Sequence, residues 1–319
     1  MDYFPSSAPH WHLILNHFPS IGAVFALGLL IASYTLGSEI LRRTSLVIFV
    51  ILGLLVIPTF ITGSASGWSI GGRDDISQDL IGRHQDAAIF AFILLLITAW
   101  LSWIALWQYR RFSKPHKWVE PAVLVVALLA LAALVRTGNR GGDINHPELV
   151  NEQTLAAADG AWENGLGASI ETWVYELPGT WPAMESAHFT GMAILFGVLL
   201  LIAARMFGFA RNVAYASFHR LLPLAVFGFM INVITGMLFF VTDSARYATM
   251  TNTFYPKMAL IVIGGICVLY FTIYDRPWAL KPGDEAPVLS KAVAAATVLL
   301  WTGVLIYGRW MPYGAGAGG

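Results

Sequence analysis

The chain has 319 residues, 57% of them hydrophobic and 12% charged, a composition outside the range of soluble globular proteins and inside that of polytopic membrane proteins. Its 19 Lys and Arg balance 19 Asp and Glu. The single cysteine, Cys267, excludes a disulfide, a thiolate cluster for iron–sulfur or zinc, and covalent haem through CxxCH.

Apolar stretches of spanning length are predicted at 13–36, 44–63, 87–107, 119–135, 189–207, 221–241, 256–274 and 289–308. The expected fold is therefore an all-α membrane protein with eight transmembrane helices. The first stretch is too long for the apolar part of a signal peptide and no basic residue precedes it, so it is expected to stay in the mature protein. His10 and His12 precede it and His17 begins its helix; His10 is expected to be a solvated tail residue. His12 and His17 are five apart, about 140° around a helix, and cannot ligate one iron from the same face.

His84, with Arg83 before it and Asp86 after it, is expected to enter the third helix. Asp86 is expected to cap that helix, where a carboxylate suits the positive end; its other reading is a proton acceptor in quinol oxidation. Arg136 and Arg140 follow the fourth helix, and a polar segment over 137–186 reads as a cap that contains His146. The fifth helix opens on His188 and the seventh on Lys257. Gly22, Gly28 and Gly53 are expected to pack helices together.

Alternating loops place both termini and the loops near 64–86, 136–188 and 242–257 on one side, with seven Lys and Arg against fourteen Asp and Glu. The opposite side carries twelve Lys and Arg against five Asp and Glu, in short loops, and reads as cytoplasmic. The expected location is a bacterial inner membrane with both termini periplasmic.

The two halves echo each other. His17-Phe18 and its apolar run align with His188-Phe189 at an offset of 171, while Ile61-Thr62-Gly63 with Ile234-Thr235-Gly236, and His84 with Lys257, align at 173. A parallel internal repeat follows, with bundles at 1–136 and 187–319 and the cap at 137–186.

On this alignment His17 and His84 reach the outer face from two helices of one bundle, as axial ligands of a haem b would. His12 is left to a propionate or a quinone, and Arg83, Arg136 and Arg140 to pair with propionates. Interfacial histidines also simply bond headgroups, carbonyls or water. In the second bundle Lys257 is expected to form an ion pair with Glu185 or to anchor a propionate or headgroup; as a neutral amine it could bind iron beside His188. His146 is the other candidate ligand there. His116 and His219, among basic residues of the opposite side, are expected to meet water or headgroups. No phosphate loop, nucleophile elbow or HExxH is present.

His12-x4-His17-Phe18-Pro19, Thr62-Gly63, His84, and Thr137-Gly138 before Gly141-Gly142 resemble a family of uncharacterised four-helix membrane proteins, a domain of unknown function. His188, Thr235-Gly236 and Asn252-x-Phe254-x2-Lys257 resemble a second uncharacterised membrane family. Together they cover most of the chain; the departure is Asn145-His146-Pro147, where the first family tends to an apolar-Tyr sequence. The resemblance implies a cytochrome b-like membrane subunit working beside c-type cytochromes or other redox partners.

The function expected is electron transfer between quinone and an outer-face redox partner within a larger complex, with one haem b or two and a quinone as cofactors. Membrane lipid and membrane or periplasmic redox subunits are the expected partners, and nucleic acid is not. A cofactor-free anchoring subunit is the alternative. Ion transport ranks last, because the second, fourth, sixth and eighth helices lack intramembrane charges.

Overall fold

A backbone surrounded by lipid must satisfy its own polar groups, which restricts spanning segments to helices and closed barrels. The computed structural model describes Pro5 and residues 7–314, and among the described residues every regular element is helical. The protein is an all-α membrane protein: eight helical segments are long and apolar enough to cross a bilayer, with mean hydropathies of 1.8 to 2.6.

The first span is α1 (Ala8–Leu15) followed by α2 (His17–Thr35). Next come α3 (Glu39–Ile70), α4 (Gln78–Phe112) and α5 (Val119–Asn145). Three short helices follow, α6 (Glu152–Ala156), α7 (Ala161–Asn164) and α8 (Leu166–Glu176). Then α9 (Thr180–Met206), α10 (Tyr215–His219), α11 (Leu222–Thr242), α12 (Ser244–Thr249), α13 (Phe254–Ile273) and α14 (Val288–Gly314) complete the chain. Most helices overrun the apolar stretches. Helix α4 begins nine residues early, so His84 and Asp86 lie about two turns inside it, and α5 carries Arg136, Arg140 and Gly141 on helix rather than in a loop.

The chain forms two compact units: Met1–Ala99 with Pro121–Trp181 and Met237–Ala248, and Trp100–Glu120 with Pro182–Gly236 and Thr249–Gly319.

In the first unit α2 turns Pro19, Ala23, Ala26, Leu27, Leu30 and Ser33 inward and leaves Phe18, Ile21, Val24, Phe25 and Ile31 exposed. Small residues inside and large apolar ones outside suit a lipid-facing helix, since close backbone approach rather than water exclusion holds such helices together. A Cβ on Gly53 would lie 2.2 Å from that of Ala99, and one on Gly22 would lie 2.5 Å from the side chain of Leu52. Gly28, expected to pack as well, faces nothing within 4 Å among the described residues.

The break between α1 and α2 has a local cause. Pro19 has no N–H, so the Leu15 carbonyl four residues earlier loses its intrahelical donor. The Thr59 hydroxyl of α3 supplies one at 3.3 Å, shared with its own helix at Leu55 O, 2.8 Å away.

Asp79, Arg83 and Asp86 recur at helical spacing on one face of α4 and hold the three short helices by their ends. The Asp79 carboxylate accepts from Trp162 N at 3.3 Å and that of Asp86 from Leu166 N at 2.7 Å, both in first turns where N–H groups lack helical partners. Arg83 Nη1 donates to Thr154 O, 3.0 Å away near the end of α6, where a cation suits the dipole. Asp86 thus caps α8, not its own helix. Between them Gly82 lets the backbone of Ala161 approach so closely that a Cβ would stand 2.6 Å from its carbonyl. Trp68 closes the same end, donating to Ser244 Oγ at 2.7 Å and packing edge-on against Trp162.

In the second unit the Gly191 and Gly228 backbones cross in contact: a Cβ on either would lie 2.8 or 2.6 Å from the other's carbonyl oxygen. Buried Arg205 directs Nε to Val213 O at 3.0 Å and Nη2 to Arg211 O at 3.4 Å, with its guanidinium 3.5 Å above the Tyr215 ring.

Replacing Asp86 by Ala removes the acceptor at the start of α8 and is expected to cost about 1–2 kcal/mol of local stability, on the scale of a lost N-cap. Limited proteolysis within 147–177 should then run roughly 5- to 30-fold faster, and Asp86→Asn, which keeps an acceptor, should restore most of the protection.

Candidate functional site

In the first unit two imidazoles are held alike. His12 of α1 sets Nδ1 3.0 Å from Thr59 O on α3, and His84 of α4 sets Nδ1 3.0 Å from Thr137 O on α5. A carbonyl oxygen only accepts, so Nδ1 is the protonated nitrogen in both rings and a neutral ring keeps its lone pair on Nε2. Neither Nε2 has a hydrogen-bond partner among the described residues. His84 lies within electrostatic reach of His12 and of Arg140.

Each ring rests on a glycine one helical turn beyond its carbonyl. A Cβ on Gly63 would come 2.7 Å from His12 Cε1, and one on Gly141 would come 3.2 Å from His84 Cε1. A larger residue at either place would push the ring off its carbonyl. The first glycine belongs to Ile61-Thr62-Gly63, which aligns in sequence with Ile234-Thr235-Gly236.

His17 does not join this pair. It is exposed and returns Nδ1 to Leu13 O of the preceding turn at 2.6 Å. The inward histidine of the first span is His12. The dipeptide His17-Phe18 matches His188-Phe189 in sequence, but the matching geometry runs instead through the glycines. The ring facing Gly63 is His12, and the ring facing Gly236 is His188, 3.5 Å from where a Cβ would stand. A signal was available in Leu15 and Pro19: a helix interrupted there shifts the inward face relative to a regular one.

Arg83 and Arg140 both lie beside this end of α4, Arg140 Nη1 donating to Arg83 O at 2.7 Å. Arg83 is partly committed to α6, and Arg136 is exposed. His146 is exposed and pairs with Glu148 at 3.1 Å, so it is not gathered with the others.

In the second unit His188 Nδ1 lies 2.8 Å from Thr235 Oγ1, which in turn donates to Ile231 O at 2.7 Å. Since the hydroxyl proton is used there, the oxygen accepts from Nδ1–H, and the lone pair again resides on Nε2. Lys257 lies within charge-sensing reach of His188, with Nζ 3.4 Å from where a Cβ on Gly308 would stand. Among the described residues it makes no ion pair, and Glu185, its expected partner, is exposed.

His219, expected to meet water or headgroups, is instead 3% exposed, stacked at 6.4 Å on Trp107 and edge-on to Trp278 at 5.0 Å, and its buried Nε2 has no hydrogen-bond partner among the described residues. Its basic sequence neighbours concealed the tryptophans that cover it.

Nowhere among the described residues do three His, Cys, Asp or Glu side chains gather as a metal site. A bare zinc ion asks for three or four protein ligands. Two imidazoles suffice where a macrocycle brings the other four nitrogens.

Gly63→Val should force the His12 ring from Thr59 and lower stability by about 1–3 kcal/mol, as overpacking does. Thermal unfolding in detergent should show the fall, while Gly28→Ala, a change into open space, should leave the midpoint unlowered. No family model, curated protein or solved structure matches the chain.

Proposed function

We propose that the protein is a haem b electron-transfer subunit of a larger membrane complex, with His12 and His84 as the axial ligands. The observation that carries this is the pairing itself: two imidazoles from different helices, each donating Nδ1–H to a threonine carbonyl and each with its lone pair on Nε2. A hydrogen bond from the non-ligating nitrogen to a carbonyl fixes ring tautomer and orientation and raises ligand basicity, which is how proteins prepare histidine for a metal. The glycines admit the rings.

Haem iron, when bound, takes up and releases single electrons. The chain's part is to hold both imidazoles against rotation, so that neither oxidation state requires a ligand to move. Arg140, beside His84, supplies a guanidinium suited to a propionate, with exposed Arg136 one turn away. The reading places the protein in a bacterial inner membrane with periplasmic termini, in keeping with the basic loops of the opposite side. Quinone and a periplasmic redox protein, such as a c-type cytochrome, are the proposed exchange partners, in line with the cytochrome b-like resemblance of both halves.

The purified chain should show a Soret band and, after reduction, low-spin b-type α and β bands. His12→Ala and His84→Ala should each abolish the low-spin spectrum of this site, cutting its amplitude by an order of magnitude or more, whereas His17→Ala should leave it unchanged. A wild-type protein without a pyridine haemochrome would overturn the proposal in favour of a cofactor-free anchoring subunit.

A further inference from the structure

The second unit repeats the glycine-faced arrangement of the first with one ligand exchanged. Where His12 meets Gly63, His188 meets Gly236; where His84 meets Gly141, Lys257 meets Gly308. Each pair consists of two nitrogen-bearing side chains from different helices, one within electrostatic reach of the other, each end faced by a glycine on a further helix. Other glycines face apolar side chains of neighbouring helices, Gly67 that of Ile81, Gly264 that of Trp301 and Gly303 that of Leu260; what sets these four apart is that each faces a histidine or lysine side chain near the same end of its span, in the same chain order.

Lys257 itself demands an explanation. It lies in the first turn of an apolar span, with no hydrogen bond or ion pair from its side chain among the described residues. An ammonium in that setting without an anion is costly, and ionisable groups retained in membrane segments serve a ligand or a path. A neutral amine is a Lewis base like the imidazole it replaces in the repeat. His188 is prepared as His12 and His84 are, with Nδ1–H held by an oxygen on a neighbouring helix.

We infer that His188 and Lys257 are the axial ligands of a second haem, held in the second unit by His188 Nε2 and Lys257 Nζ. As the Fe–N bond forms, Lys257 releases its proton to the medium, and no electron is exchanged. This inference rests on the proposed haem at His12 and His84 only for the comparison between units; its ligands are its own.

The test is the haem-to-protein ratio of the purified full chain, read beside its electron paramagnetic resonance and near-infrared charge-transfer spectra. The wild type should carry about two haems per chain in two low-spin species, one with two imidazole ligands and one with imidazole and amine. Lys257→Ala and His188→Ala should each remove the second species, through loss of the haem or conversion to high spin, and leave the first. Lys257→His should keep about two haems and move the second charge-transfer band to the position of the first. It also serves as the control that the unit still folds when Lys257 is absent. A ratio near one, insensitive to Lys257→Ala and abolished by His84→Ala, would overturn this inference and leave the first site standing. A ratio of zero would overturn both.

Discussion

The first unit depends on an accounting rule that lipid enforces: a polar group inside a span must find its partner within the protein. Pro19 opens the account by leaving the Leu15 carbonyl without its helical N–H, and Thr59 answers with its hydroxyl. The same residue then offers its own carbonyl to His12. Two bonds from one threonine thus satisfy the carbonyl that Pro19 frees between α1 and α2 and hold the ring that projects inward beside it. Thr137 does the same for His84 without any break, because α5 runs uninterrupted through the position. The hydrogen bonds that make the helices tolerable in a membrane are also those that fix the tautomer of each imidazole.

Much of the architecture could be read from composition. Eight apolar stretches become eight spans, because apolar runs of that length have few other solutions. Their ends could not be read so well. Gln78–Arg83 and Arg136–Asn145 look like loop in a hydropathy reading, yet both are helical. The carboxylates and guanidinium of Asp79, Arg83 and Asp86 bond the ends of α6, α7 and α8, so polar residues extend a helix where a neighbouring helix needs donors and acceptors. Their spacing along the sequence was visible; the three short helices that use it were not, since helices of that length carry little periodicity.

The arrangement of the candidate site was half legible. That His84 sits on the inner side of a span near one end follows from its place near the start of the third apolar stretch. His12 was set aside for His17 because a shared His-Phe dipeptide is conspicuous, although a dipeptide on a lipid-facing helix says little about which side chain turns inward. The glycines were the better guide. Gly63 and Gly236 occupy the same motif, and each faces an imidazole, His12 in one unit and His188 in the other. A glycine set opposite a ring records a steric need, whereas an aligned histidine records only composition. His219 was missed for a related reason, since burial beneath Trp107 and Trp278 depends on chain segments far apart in sequence.

The two units also differ in how the imidazole is held, and the difference bears on what each site can do. Thr59 and Thr137 offer carbonyl oxygens, whereas Thr235 offers a hydroxyl that itself donates to Ile231 O. In a low dielectric a chain of two such bonds polarises along its length, which strengthens the hold on Nδ1–H. A hydroxyl can also rotate, and if its proton turned away from Ile231 toward the ring, Nδ1 would become the acceptor and Nε2 the donor. The carbonyl sites have no such freedom, because a carbonyl carries no proton to turn. His12 and His84 are therefore confined to one tautomer by their partners, while His188 is confined only as long as Thr235 keeps its bond to the turn behind it. The ligand site proposed for the second unit would rely on that intrahelical bond, and Thr235 rather than a backbone carbonyl is the place where a single side-chain change would reach it.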